Sequence, residues 1–139
     1  MQIHASCAAR DGAGVLLLGP PGSGKSDLAL RLLDCGFMLV ADDRVEVDEG
    51  VARPPAALAG LLEVRGVGIL RLPYLQSVRL ALAVELTEPP RLPAPARHAE
   101  LGLPLVAVDA RSPSAARCVA LALDCVLGRI MQVAGAFTP

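Results

Sequence analysis

Eight residues, Gly19-Pro20-Pro21-Gly22-Ser23-Gly24-Lys25-Ser26, constrain this chain more than any other stretch of it. They follow Val15-Leu16-Leu17-Leu18, an unbroken apolar run with the pattern of a strand buried on both faces. They precede Asp27–Leu33, where apolar residues recur at helical spacing, and Gly36 is placed as a C′ stop. Strand, glycine-rich turn and helix in that order frame a Walker A sequence, G-x-x-x-x-G-K-S. Its glycines permit φ > 0, so that successive N–H groups can close around phosphate oxygens. The helix points its positive end at the same oxygens. Lys25 brings a compact charge to the β- and γ-phosphates, and the Ser26 hydroxyl can ligate Mg²⁺. Of 13 basic residues, Lys25 is the only lysine. A glycine-rich turn matching by accident would have to put that one lysine in the slot where Arg's broad fork does not fit. Gly19, Pro20, Pro21, Gly22, Ser23, Gly24, Lys25, Ser26 and Asp27 are therefore the candidate nucleotide-binding residues.

The whole 139-residue chain reads as one domain, 1–139. Gln2–Arg10 is a short strand, followed by a turn at Asp11–Gly14. Phe37–Ala41 is a second apolar strand, and Arg44–Asp48 alternates in the β manner. A turn at Asp48-Glu49-Gly50 makes a hairpin with Val51–Arg53. After Pro54-Pro55, Ala56–Leu62 reads as a short helix, and the glycine-punctuated Glu63–Leu70 as a strand or an active-site loop. Ser77–Leu86 and Leu103–Val108 are strands, separated by Glu88–Pro95, a proline-rich loop or exposed hairpin tip. Ser112-Pro113 is an N-cap and N1 pair that starts a helix running to about Gly128. The order predicts an α/β fold, a mixed sheet with flanking helices.

Composition closes off several functions. With 53% hydrophobic and 19% charged residues the chain is built to pack, not to stay disordered. A net charge of −1 leaves no basic stripe for nucleic acid, and two Phe and one Tyr give no stacking platform for single strands. The longest uncharged stretches, Gly12–Gly24 and Ile130–Pro139, are too short to span a membrane. Met1–Cys7 lacks a secretion signal. Cys7, Cys35, Cys118 and Cys125 form no CxxC pair and stand at no metal-ligand spacing to His4 or His98, which fits reduced thiols in a cytoplasmic protein.

A phosphate-binding loop needs a second carboxylate at the end of a neighbouring apolar strand. Asp42-Asp43 supplies it, directly after Phe37–Ala41 and 16 residues beyond Ser26. In an extended strand the two would point to opposite faces, so one can face the phosphates while the other holds metal water or a structural partner. The plain alternative is an acidic strand end leading into a turn.

Gly19–Ser26, Leu39-Val40-Ala41-Asp42-Asp43-Arg44-Val45 and Leu62-Glu63-Val64-Arg65-Gly66-Val67-Gly68-Ile69 together resemble HPr kinase/phosphorylase, the bacterial serine kinase of the phosphotransferase carrier HPr. The last segment matches that family's signature and is far more specific than a Walker motif. The likeness covers Ile3–Leu70 well; the second half resembles the family only in pattern. It implies the P-loop kinase core of the HPr kinase and phosphoenolpyruvate carboxykinase type, in a short form reduced to the catalytic domain, using ATP and Mg²⁺ and assembling as a homo-oligomer. By position, Asp42 looks like the general base that takes the proton from the acceptor serine. Asp43 and Glu63 look like the acids around Mg²⁺, with Ser26 as a direct ligand. Arg65 looks like a residue orienting this cluster or the substrate. His4 sits where the family has a histidine near the acidic pair, or is a satisfied strand histidine.

One departure bears on the activity expected. Asp109-Ala110-Arg111-Ser112-Pro113-Ser114 stands where the family carries a basic residue followed by Pro-Gly-Arg-Asn, so the phosphorylase direction is not carried over. The competing function is a non-catalytic ATP-binding module that signals to a partner. A GTPase is excluded, since its Asn-Lys-x-Asp needs a second lysine, and Glu88–Pro95 is too short for the lid of a nucleoside-monophosphate kinase.

Overall fold

The computed structural model describes residues 1–138. Strand β1 (Gln2–Arg10) turns through Asp11-Gly12 into β2 (Ala13–Leu18), its antiparallel neighbour. Helix α1 (Lys25–Leu33) follows the glycine loop. Then come β3 (Met38–Ala41), β4 (Arg44–Asp48) and β5 (Val51–Arg53). The stretch expected as a short helix divides instead into one 3₁₀ turn, Ala56–Leu58, and strand β6 (Leu61–Val64). Pro55, with ψ of 140°, enters the turn extended, and Ala59 leaves it extended at ψ 125°, so no longer helix can propagate. β6 pairs with β7 (Gly68–Arg71) as a hairpin apart from the main sheet, which settles the strand-or-loop alternative for Glu63–Leu70. β8 (Val78–Leu86), β9 (Leu105–Val108) and α2 (Ala115–Val126) complete the chain. α2 begins two residues later than expected, with Ser114 at the N-cap; Ser112 and Pro113 belong to the turn before it.

The main sheet has seven strands, and its pairings close on themselves. β2 pairs with β1, β1 with β4, β4 with β5, β5 with β8, and β8 returns to β2 in parallel. β3 continues the edge of β1 beyond β4, and β9 continues the edge of β8 beyond β5. Small and aliphatic residues, none aromatic, fill one side of this ring: Ala5, Cys7, Leu16, Val45, Val47, Ala52 and Leu80. A ring of so few strands leaves room only for such side chains, which is why a chain this poor in aromatics can pack it. Burial pushes the Cys7 thiol up, so it stays protonated and inert.

The other side carries both helices. Leu28, Ala29 and Leu32 of α1 and Val119, Ala120 and Leu123 of α2 pack on Val15, Leu17, Leu82 and Val84. The helices thus share one face and the curled sheet covers the other, instead of one helix lying on each side. Leu28, Leu32 and Leu123 are fully buried, each contributing about 1.5–3 kcal/mol. Arg10 ties this layer together. It donates to Asp124 (2.6 Å) and lies 4.9 Å over the Phe37 ring. No helix among the described residues is long and apolar enough to cross a membrane.

Candidate functional site

β2 delivers the chain to the glycine loop at the rim where the parallel strands β2, β8 and β9 end. A Cβ on Gly19 would lie 2.5 Å from the Ser23 hydroxyl oxygen, so the loop closes tightly only over glycine. Gly24 holds φ 99 as the N-cap of α1, and no side chain among the described residues caps that first turn. The leading N–H groups of the helix are left for an anion. Lys25 Nζ donates to the carbonyls of Gly19 (2.7 Å) and Pro20 (3.0 Å), curling back over the loop it would share with a phosphate.

Asp42 and Asp43 interrupt what would otherwise be one long strand along β1. Cys7 faces Ala41 and His4 faces Arg44, leaving Ser6 and Ala5 opposite the acidic pair. The pair is not extended as the sequence suggests. Asp43 adopts φ 69, a left-handed conformation rare outside glycine but commoner for Asp, and the Arg44 N–H donates to the Asp42 carbonyl at 2.8 Å. The outcome is still two opposite environments. Asp42 is buried, and Asp43 is exposed.

Both oxygens of the Asp42 carboxylate accept hydroxyl hydrogen bonds. Ser26 Oγ donates to it at 2.8 and 2.9 Å to the two oxygens, and Ser6 Oγ donates at 2.6 Å. Ser6 is 0% exposed, and sequence reasoning missed it. Its signal was faint: a hydroxyl between Ala5 and Cys7 in a strand otherwise committed to a core. Asp43 instead lines an open cavity of about 470 Å³ with Pro21, Gly22, Gly24, Lys25, Ser26, Asp27, Leu30, Glu63, Val64 and Arg65. That volume lies in the range of small-molecule sites. Gly19, Pro20 and Ser23 do not line the cavity but shape the loop beneath it.

Glu63 and Arg65 reach the cavity from the β6–β7 hairpin, whose turn is closed by the Val67 N–H donating to Val64 at 3.0 Å. His4 is exposed and does not line the cavity, although β1's alternation sets it on the same face as Ser6. The structure therefore brings together Lys25, Ser26, Asp27, Asp43, Glu63 and Arg65, puts Asp42 behind Ser26, and leaves His4 at the margin. A second cavity of about 480 Å³, lined by Pro95, Ala96, Arg97, Pro104, Cys125, Val126, Ala136 and Phe137, has Arg97 as its one charged group.

No group of three or more His, Cys, Asp or Glu among the described residues is disposed to hold a metal by itself. The oxygens at hand, Ser26 Oγ with the carboxylates of Asp42, Asp43 and Glu63, are hard donors. Mg²⁺ is usually bound through one or two carboxylates, waters and substrate phosphates, so this donor set fits it without a protein cage.

A glycine loop between a buried strand and a helix, backed by a buried hydroxyl–carboxylate pair, defines a mixed α/β domain organised to present backbone amides, one lysine and several carboxylates at one rim. Residues 1–87 match the model of the HPr Serine kinase C-terminal domain, and the chain belongs to that family. The fold is similar to a solved structure of the Hpr(Ser) kinase/phosphatase from Coxiella burnetii, with TM-score 0.72 and 24% identity, over 93% of this chain and 89% of that one.

Proposed function

We propose that this chain is an ATP-dependent protein serine kinase, a single P-loop catalytic domain over 1–139 that phosphorylates an HPr-like phosphocarrier. Family membership supports HPr as the acceptor; a cytoplasmic setting and a homo-oligomeric assembly belong to the same proposal. The observation that carries the reading is the division of labour in the acidic pair: Asp42 locked on Ser26, Asp43 exposed in the cavity beside Lys25.

That division favours exchanging the two roles implied by the resemblance. Asp42, already accepting two hydroxyl hydrogen bonds, orients Ser26 and would hold Mg²⁺ with it. Asp43 is the carboxylate with open access to an incoming alcohol. Bound Mg²⁺ would neutralise charge on the β- and γ-phosphates. Lys25 and the amides of Gly22–Ser26 hold the same oxygens and stabilise charge as the γ-phosphoryl group moves. The acceptor serine oxygen bonds to the γ-phosphorus as its proton passes to Asp43, and the bond from that phosphorus to the β–γ bridging oxygen breaks, releasing ADP. Glu63 and Arg65, on the hairpin, face the acceptor; His4, opposite Arg44 on β1, lies outside the cavity.

The test is radiolabelled ATP incubated with the chain and its HPr, followed by mapping of the labelled residue. A phosphoserine on HPr is expected, and Asp43→Asn should lower transfer by about 10²–10⁴-fold with ATP affinity within a few fold. If Asp42→Asn shows that transfer-only loss and Asp43→Asn does not, the roles revert. If the chain binds ATP yet labels no HPr with Mg²⁺ or Mn²⁺, it is a nucleotide-binding regulatory module instead.

A further inference from the structure

The turn between β9 and α2 touches the glycine loop, and one arginine holds it there. A Cβ on Gly24 would lie 3.2 Å from that of Ala110. Arg31, on α1, spans the gap: its guanidinium donates to the carbonyl of Ala110 and to that of Ser112 (3.2 Å). Its Nε lies 3.0 Å from the carboxylate of Asp27, one turn back, which itself lines the cavity. The Arg31 side chain is 30% exposed and that of Asp27 66%, so water screens this ion pair and the bonds to the two carbonyls are what fix the turn. The turn is also ordered from within. The Asp109 carboxylate accepts the Arg111 N–H at 3.0 Å, and the Ser112 N–H donates to the Asp109 carbonyl at 3.0 Å. The Arg111 N–H holds the Asp109 carboxyl below the usual carboxylate range, so the turn keeps its charge into more acidic solution than an unpaired aspartate would.

Donor and acceptor meet a transferring phosphoryl group roughly in line, from opposite sides. Asp43, Glu63 and Arg65 mark the acceptor's side. An in-line donor would carry its nucleoside across the loop on the other side, over the ends of the parallel strands β8 and β9, where ligands of parallel sheets characteristically sit. That is where Ala110 abuts Gly24. We infer that Arg31 is a positioning residue that fixes the Asp109–Ser112 turn as the wall against which the nucleoside of the bound triphosphate rests. The inference rests on the kinase reading for the identity of the ligand. The wall offers the Arg111 guanidinium, 89% exposed, and the Ser112 hydroxyl to the ribose and base.

Binding of ATP and of inorganic tripolyphosphate, compared by calorimetry, separates a nucleoside wall from a general prop of the loop. Arg31→Met should weaken ATP by about tenfold, the effect of losing one or two hydrogen bonds, and leave tripolyphosphate within twofold. Arg31→Lys, which keeps the charge but not the fork, should recover part of that loss. Asp109→Ala, a surface change that loosens the same turn, should move the two ligands apart in the same direction and serves if Arg31→Met does not fold. Equal weakening of both ligands, or no weakening of either, overturns the inference. Wild-type chain binding tripolyphosphate as tightly as ATP overturns it too, leaving the kinase reading standing. Wild-type chain binding neither overturns both.

Discussion

The two flanks of the glycine loop are built differently. On one, Ser6, Asp42 and Ser26 come from β1, the end of β3 and α1, and every hydroxyl and carboxylate oxygen among them has a partner. On the other, Glu63 and Arg65 stand exposed on a two-stranded hairpin outside the main sheet, next to Val67 and Ile69, each 70% exposed. The first flank shares a core with the rest of the molecule; a lone hairpin has little stability of its own. On the proposed kinase reading, groups that hold a phosphate and its metal gain from a shared core, whereas groups that meet a protein substrate have to be reachable, and exposure is the physical requirement for that.

Replacing Asp42 by Ala should give the largest effect. Ser6 loses its buried acceptor, so unfolding free energy should fall by about 1–3 kcal/mol in chemical denaturation, together with metal-dependent nucleotide binding. A variant as stable as the parent would mean that the buried flank is no more constrained than the hairpin. Glu63→Gln should separate function from stability: the HPr concentration for half-maximal transfer should rise by about tenfold while the melting temperature stays put. A matching drop in melting temperature would show the hairpin to be part of the rigid frame. The smallest effect is expected for Val67→Ser with Ile69→Ser. Both side chains are already in water, so stability should stay within about ±0.5 kcal/mol, which thermal melts can measure.

Much of the buried flank was legible residue by residue. Val15–Leu18, the glycines and Lys25 announce strand, loop and helix because each signal is local: an apolar run, a demand for φ > 0, a 3.6-residue period. Asp42-Asp43 was legible as a pair with two separate jobs, but not which carboxylate is buried, because the opposite environments come from the left-handed turn at Asp43 and not from strand alternation. Ser6 was hidden because a serine in a strand looks the same whether it meets water or a buried carboxylate. The late start of α2 was hidden for a related reason: Ser112 and Ser114 both suit an N-cap, and packing of Ala115 and Ala116 into the core selects the second.

By itself, then, the order of residues determined the α/β class, most strand positions and the identity of the loop, all of which depend on neighbours a few residues apart. Only the tertiary structure decided which carboxylate is sealed behind Ser26, that the strands close into a ring with both helices on one side, and that Arg31 reaches Ala110. Those contacts join residues 36 positions apart at Ser6 and Asp42 and 79 apart at Arg31 and Ala110. No local period encodes such distances. They exist because burying the apolar faces of the sheet and helices outweighs the entropy of closing the long loops between them.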